Sequence, residues 1–123
     1  MNDMHYLEIG SLGTLFPERR LSPVEVAKAM LERIDRLDPK LHAYAYVMRD
    51  EAMKAARRAE EEIGQGKIRG PLHGVPIAVK DLCFTKDAPT ASGCARCMPI
   101  SKSVPGIRNT PPYNDLLHRN NTV

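Results

Sequence analysis

Tryptophan is absent from the 123-residue sequence, and phenylalanine and tyrosine supply only 5% of it. Any core must therefore be aliphatic. No window approaches the roughly 18–20 consecutive apolar residues that a membrane-spanning helix requires. The opening Met-Asn-Asp-Met-His lacks the basic start and apolar run of a secretory leader, so the sequence reads as cytoplasmic, with no membrane partner. The three cysteines, Cys83, Cys94 and Cys97, are odd in number, which argues against a disulfide framework. Charge of one sign is also scarce, with 18 Lys+Arg against 15 Asp+Glu. Residues 94–123 hold four of the basic side chains (Arg96, Lys102, Arg108 and Arg119) and a single acid, Asp115, so the whole surplus lies there. No basic cluster is interleaved with aromatics, which excludes the dense stripe used to grip nucleic acid. The length suits one small domain.

Local signals are clearer than composition. His5–Phe16 places Leu7, Leu12, Leu15 and Phe16 among small and polar residues, with Gly10 and Gly13 weakening helix propensity, and suggests a short helix or two turns. Leu21-Ser22-Pro23-Val24-Glu25 is a helix start: Ser22 as N-cap, Pro23 at the first helical position, Glu25 completing a capping box. Val26, Met30, Ile34 and Leu37, widened by Ala27 and Leu31, form one apolar stripe that Asp38-Pro39 is expected to end. From Leu41 to Met48 the period becomes two, which predicts a strand or extended segment. Asp50 is placed to cap a following helix in which Ala52, Ala56, Ala59 and Ile63 make a narrow seam, and Gly64 and Gly66 stop it. The opposite face, with Lys54, Arg57, Arg58, Glu60, Glu61 and Glu62, reads as an ordinary solvated surface.

Gly70-Pro71-Leu72-His73-Gly74 is turn punctuation. Val75-Pro76-Ile77-Ala78-Val79 is too short for a helix and predicts a buried strand, with Pro76 tolerated near its start. The run ends in Lys80-Asp81. An amine at the end of an apolar strand can be structural, can snorkel to water, or can be catalytic if burial frees it to take a proton from a hydroxyl nucleophile. Helices alternating with strand-like runs argue for an α/β layer architecture. Cys94-Ala-Arg-Cys97 has C-x-x-C spacing, and Cys83 and His73 would complete four zinc ligands. Structural zinc sites pair two such hooks, so no metal and no cofactor is expected.

The stretch Gly70-Pro71-Leu72-His73-Gly74-Val75-Pro76-Ile77-Ala78-Val79-Lys80-Asp81 resembles the N-terminal motif of the amidase signature family, which includes bacterial amidases and the amidase subunit of glutamyl-tRNA amidotransferase. The capped helix at Ser22, Arg33-Ile34 within it, Leu41-His42-Ala43 and the alanine-rich helix up to Gly66 agree in order and spacing. The likeness covers residues 7–93. It implies the N-terminal helices and first strands of an incomplete mixed-sheet fold, and a Ser-cis-Ser-Lys triad that hydrolyses small-molecule carboxylic amides through an acyl-enzyme. Lys80 matches the family's lysine. After Lys80 the sequence departs from the pattern, with Asp87 where a glycine is common.

Beyond Gly93 the periodicity fails. Residues 94–123 contain four of the ten prolines, one short apolar patch at Leu116-Leu117, and only Ser101, Ser103 and Gly106 in place of the Gly/Ser-rich run that supplies both serines and the oxyanion hole. This tail is expected to be disordered and unrelated to the family pattern, truncated or shifted in frame after Gly93. Residues 1–93 then form the N-terminal part of an amidase-like domain, inactive alone, with unpaired sheet edges open to self-association. The alternative is a noncatalytic interaction module that docks on a partner or a full-length relative through the Val26–Leu37 stripe.

Overall fold

A computed structural model describes residues 4–81 and 83. The sequence readings that fall on residue 82 and on 84–123, including Asp87, Cys94, Cys97, Ser101, Ser103 and the tail, lie outside the described residues. A single 3-10 turn, Met4–Tyr6, precedes three helices: α1 (Ile9–Leu15), α2 (Pro23–Leu41) and α3 (Arg49–Gly64).

α2 begins as its first residues dictate. Extended backbone at Ser22 (φ −113°, ψ 147°) lets its hydroxyl accept hydrogen bonds from the Val24 N–H at 3.1 Å and the Glu25 N–H at 3.2 Å. The Glu25 carboxylate accepts in return from the Ser22 N–H at 2.9 Å, closing a capping box that satisfies otherwise orphaned donors. Val26, Ala27 and Leu31 are buried along one face. α3 offers α2 the seam Ala52, Ala56, Ala59 and Ile63, all buried, and side chains this small let the two backbones approach closely. The core lies between them: Val26 and Ile63 meet Leu12 and Phe16, contributed by α1 and its C-cap, and Val75 from beyond α3.

Several expectations are corrected. α2 does not stop at Asp38-Pro39 but continues to Leu41 with Pro39 inside it. A proline there forfeits the bond to the carbonyl four residues earlier, and the helix ends within one further turn. It ends at His42, in the left-handed region (φ 49°, ψ 42°), whose N–H donates to the Asp38 carbonyl at 2.8 Å. The Asp38 side chain then accepts from the N–H groups of Ala43 at 2.7 Å and Tyr44 at 3.2 Å. Those donors would have served a ladder had Leu41–Met48 been a strand, and the segment instead crosses irregularly to α3. Nor does Asp50 cap α3. The N-cap is Met48, without a side-chain bond, and Asp50 and Glu51 sit in the first turn, where they complement the helix dipole.

A further correction concerns fold class. Among the described residues there is no strand, so the α/β reading, with the first strands of a mixed sheet, gives way to a helical arrangement. Val75–Val79 carries no regular secondary structure. Its burial also declines along its length, from Val75 at 4% exposed to Val79 at 37%, so it is not the buried strand expected. A strand needs a neighbour to satisfy its backbone, Pro76 offers no N–H, and no extended partner lies beside this segment among the described residues. The sheet edges invoked for self-association have no counterpart there either.

Candidate functional site

The chain that delivers Lys80 is folded against all three helices. α3 closes with the Gln65 and Gly66 N–H groups returning to Glu61, Glu62 and Ile63 carbonyls, and Lys67 N–H bonding Glu62 O at 2.9 Å. A compact turn follows, in which His73 N–H donates to the Gly70 carbonyl and Val75 N–H to the Leu72 carbonyl, both at 3.1 Å. Gly74 has φ +84°, and a β-carbon there would lie 2.7 Å from Pro23 Cγ and 3.5 Å from Ala59 Cβ. Only glycine allows both that angle and that approach to α2 and α3. At Gly13 of α1, a β-carbon would lie 3.2 Å from the Pro71 carbonyl oxygen, so the glycine that weakens α1 is also what lets it reach the turn.

His73 is the buried polar residue of this region, at 8% exposure. Its Nδ1 accepts from the Arg69 N–H at 3.3 Å, which places the ring proton of the neutral form on Nε2. Nε2 lies 3.2 Å from Oε2 of Glu62. That oxygen is buried and has no well-aligned hydrogen-bond donor among the described residues, so the imidazole is the group that faces it. The other carboxylate oxygen, Oε1, accepts from Arg58 Nε at 3.0 Å and from the Arg69 guanidinium. Burial alone would raise the Glu62 pKa, but the hydrogen bonds and charges of Arg69 and Arg58 outweigh it and hold the carboxyl below its ordinary value. Burial pushes His73 down from its ordinary value, and Arg69 adds to this against the opposing pull of Glu62. The cluster is a charged carboxylate held by two arginines, with a neutral imidazole across it.

The solvated-face reading of α3 therefore fails at Glu62, whose side chain is 19% exposed, although Arg58 is open to water at 73%. The Arg58–Glu62 spacing of four is visible in the sequence. That the turn at 70–74 folds back over it is not. Lys80 is exposed, and its carbonyl accepts from Cys83 N–H at 2.9 Å in a turn just past the Val75–Val79 run. His73, counted among the possible zinc ligands, is engaged by Arg69 and Glu62, and no group of three metal-binding side chains is assembled among the described residues.

On the other side of Val75 lies an apolar groove of about 410 Å³, between the N-terminal turn, α2 and the Val75–Ala78 segment. Leu12, Met30, Ile34, Leu41, Val75 and Ala78 are among its lining residues, with Arg33 and Asp38 supplying charge. No helix among the described residues is long and apolar enough to cross a membrane.

Comparison with known proteins gives this geometry a family. The sequence model of the family described as Amidase matches residues 25–100, a stretch that contains α2, α3, the His73 turn and Lys80. The Mycobacterium tuberculosis (strain H37Rv) protein named "Putative amidase AmiD" is 52% identical over 87 residues, 71% of this chain and 18% of that protein. The A-subunit of the glutamyl-tRNA(Gln) amidotransferase of Chloroflexus aurantiacus (strain J-10-fl) is 35% identical over 114 residues, 93% of this chain and 22% of its own length. The chain thus spans about a fifth of the length of these curated relatives. No solved structure matches it. With more than half of its residues inside the family's sequence pattern, the chain belongs to the amidase family.

Proposed function

We propose that the chain is the N-terminal part of a hydrolase that cleaves the C–N bond of small-molecule carboxylic amides, with Lys80 as the base of a Ser-cis-Ser-Lys relay. The observation that carries this reading is the unbroken Gly70–Asp81 motif within the family match. Residues 1–93 form this part of the domain. A lysine in this role takes the proton of the bridging serine, which takes that of the nucleophile as the acyl-enzyme forms. Nothing in 94–123 resembles the Gly/Ser-rich run that would supply those serines, and loss of a nucleophile costs several orders of magnitude in rate. The chain alone turns over no amide.

The test is a chimera in which residues 7–93 replace the matching fifth of the M. tuberculosis relative, assayed for ammonia release from a panel of amides. The expected result is a hydrolytic chimera that loses about 10³-fold or more of its rate on Lys80→Ala, while the isolated chain releases none. A Lys80→Ala chimera as fast as its parent overturns the assignment.

The apolar groove favours a second reading. An open trough beside α2 suits a noncatalytic module that docks on a partner or on a full-length relative. Sedimentation of the chain mixed with the M. tuberculosis relative distinguishes the two: a stoichiometric complex supports docking, and independent boundaries oppose it.

A further inference from the structure

The turn that precedes Lys80 meets each helix, but the three contacts differ in kind. At Gly13 and Gly74 it approaches α1 and α2 backbone to backbone or against the Pro23 ring, contacts that set a distance without fixing a direction. Against α3 it meets a built polar site, in which the His73 ring lies between the Arg69 N–H and Glu62 Oε2. We infer that His73 is a positioning residue: a neutral imidazole with its proton on Nε2 fastens the Arg69–Val75 turn to Glu62 of α3 and so sets where the following segment delivers Lys80. As a role toward a catalytic lysine this rests on the amidase reading. The fastening itself does not.

The chemistry requires the neutral ring. Nδ1 can accept from the Arg69 N–H only while it is unprotonated, and the single remaining ring proton then sits on the nitrogen that lies 3.2 Å from the buried Oε2. A second proton would set two N–H groups against each other at 3.3 Å. The charged groups that face the ring are Glu62, which Arg58 also holds, from α3 and Arg69 from the preceding loop. α2 reaches the turn through the uncharged ring of Pro23. Burial lowers the affinity of the ring for that second proton. Two residues on, Val75 is 4% exposed in the core, so the fastening sits immediately before the last buried side chain ahead of Lys80.

NMR on the full 123-residue chain tests this. Long-range proton–nitrogen correlations read the tautomer of His73, and backbone order parameters of residues 77–80 are followed against pH, with the interior of α3 as internal reference. The expected result above neutral pH is an Nε2–H tautomer. Acidification should then lower order at 77–80 in step with the His73 ring titration while α3 holds. His73→Ala should lower those order parameters by about a third already at neutral pH. His73→Asn, whose Oδ1 can take the place of Nδ1, should restore about half of the loss and abolish the pH step. An Nδ1–H tautomer, order at 77–80 that ignores the ring titration, or an Ala variant as ordered as the parent overturns the inference. If the Ala variant does not fold, the tautomer and pH profile of the unaltered chain decide. None of these readouts involves hydrolysis, so an inactive chimera and a failed fastening are separate outcomes.

Discussion

Single atoms decide much in this chain, and Gly74 is the plainest case. Alanine there would take on a left-handed angle and place Cβ 2.7 Å from Pro23 Cγ, a distance that forces α2 or the turn to move. The angle costs about 1–2 kcal/mol and the overpacking about 1–3 kcal/mol. Gly74→Ala should therefore lower stability by about 2–5 kcal/mol in urea titration, whereas Gly64→Ala, with nothing within 4 Å of the added carbon, should leave the midpoint unchanged or raise it. Acid acts on a second pair of residues. His73 has a folded pKa below its ordinary 6.5, so as pH falls through 6.5 the unfolded chain takes up a proton first and stability is lost down to the folded pKa. Glu62 lies below its ordinary 4.5, so its contribution is present above 4.5 and is lost as pH falls through the folded value. Urea midpoints against pH should descend in two steps. His73→Asn should remove the upper step and Glu62→Gln the lower one; a single step left unaltered by both substitutions would refute the assignment.

At the scale of elements, the start of α2 shows what local chemistry can specify. The capping box joins residues three apart, so Ser22 and Glu25 determine it wherever the rest of the chain goes. Ser22→Ala should cost about 1 kcal/mol, read as a lower urea midpoint with unchanged slope, and Glu25→Ala in the Ser22→Ala background should cost less than Glu25→Ala alone because the two arms are coupled. Equal costs in both backgrounds would mean that the box is not formed in solution. The same locality explains what is legible in the sequence. The start of α2, the alanine seam of α3 and the turn punctuation at 70–74 depend on neighbours within a few residues, and each stands where its residues indicate. The strands do not follow, because a strand is defined by a partner far away in sequence. The alternation over Leu41–Met48 says nothing of Asp38 capturing the N–H groups of Ala43 and Tyr44. Likewise Glu62 looks like its solvated neighbours until a turn eleven residues later lays His73 against it. Lys80 stands at the end of a motif, but its exposure is not legible there, because a short apolar run reads as a buried strand until its neighbours are known.

At the scale of the whole described structure, few apolar groups close on one another. Among the described residues the buried core cluster is five side chains, Leu12, Phe16, Val26, Ile63 and Val75, while the groove beside α2 leaves further apolar surface open, with Leu41 at 66% exposure. An open apolar trough is a site of association rather than a neutral surface, and its burial is worth about 25 cal/mol for each Å² removed from water. Charge placed at its rim should oppose association without disturbing the fold, because the rim side chains already reach solvent and lysine can keep its amine there. The double variant Ile34→Lys, Leu41→Lys should therefore keep the far-UV helical signal of the parent yet sediment as a monomer over a concentration series in which the parent grows heavier. Lysine is also a good helix former, so α2 loses nothing locally. A parent that stays monomeric throughout, or a variant that associates as readily, would show that the groove is not the contact and move the search for the associating surface to another face.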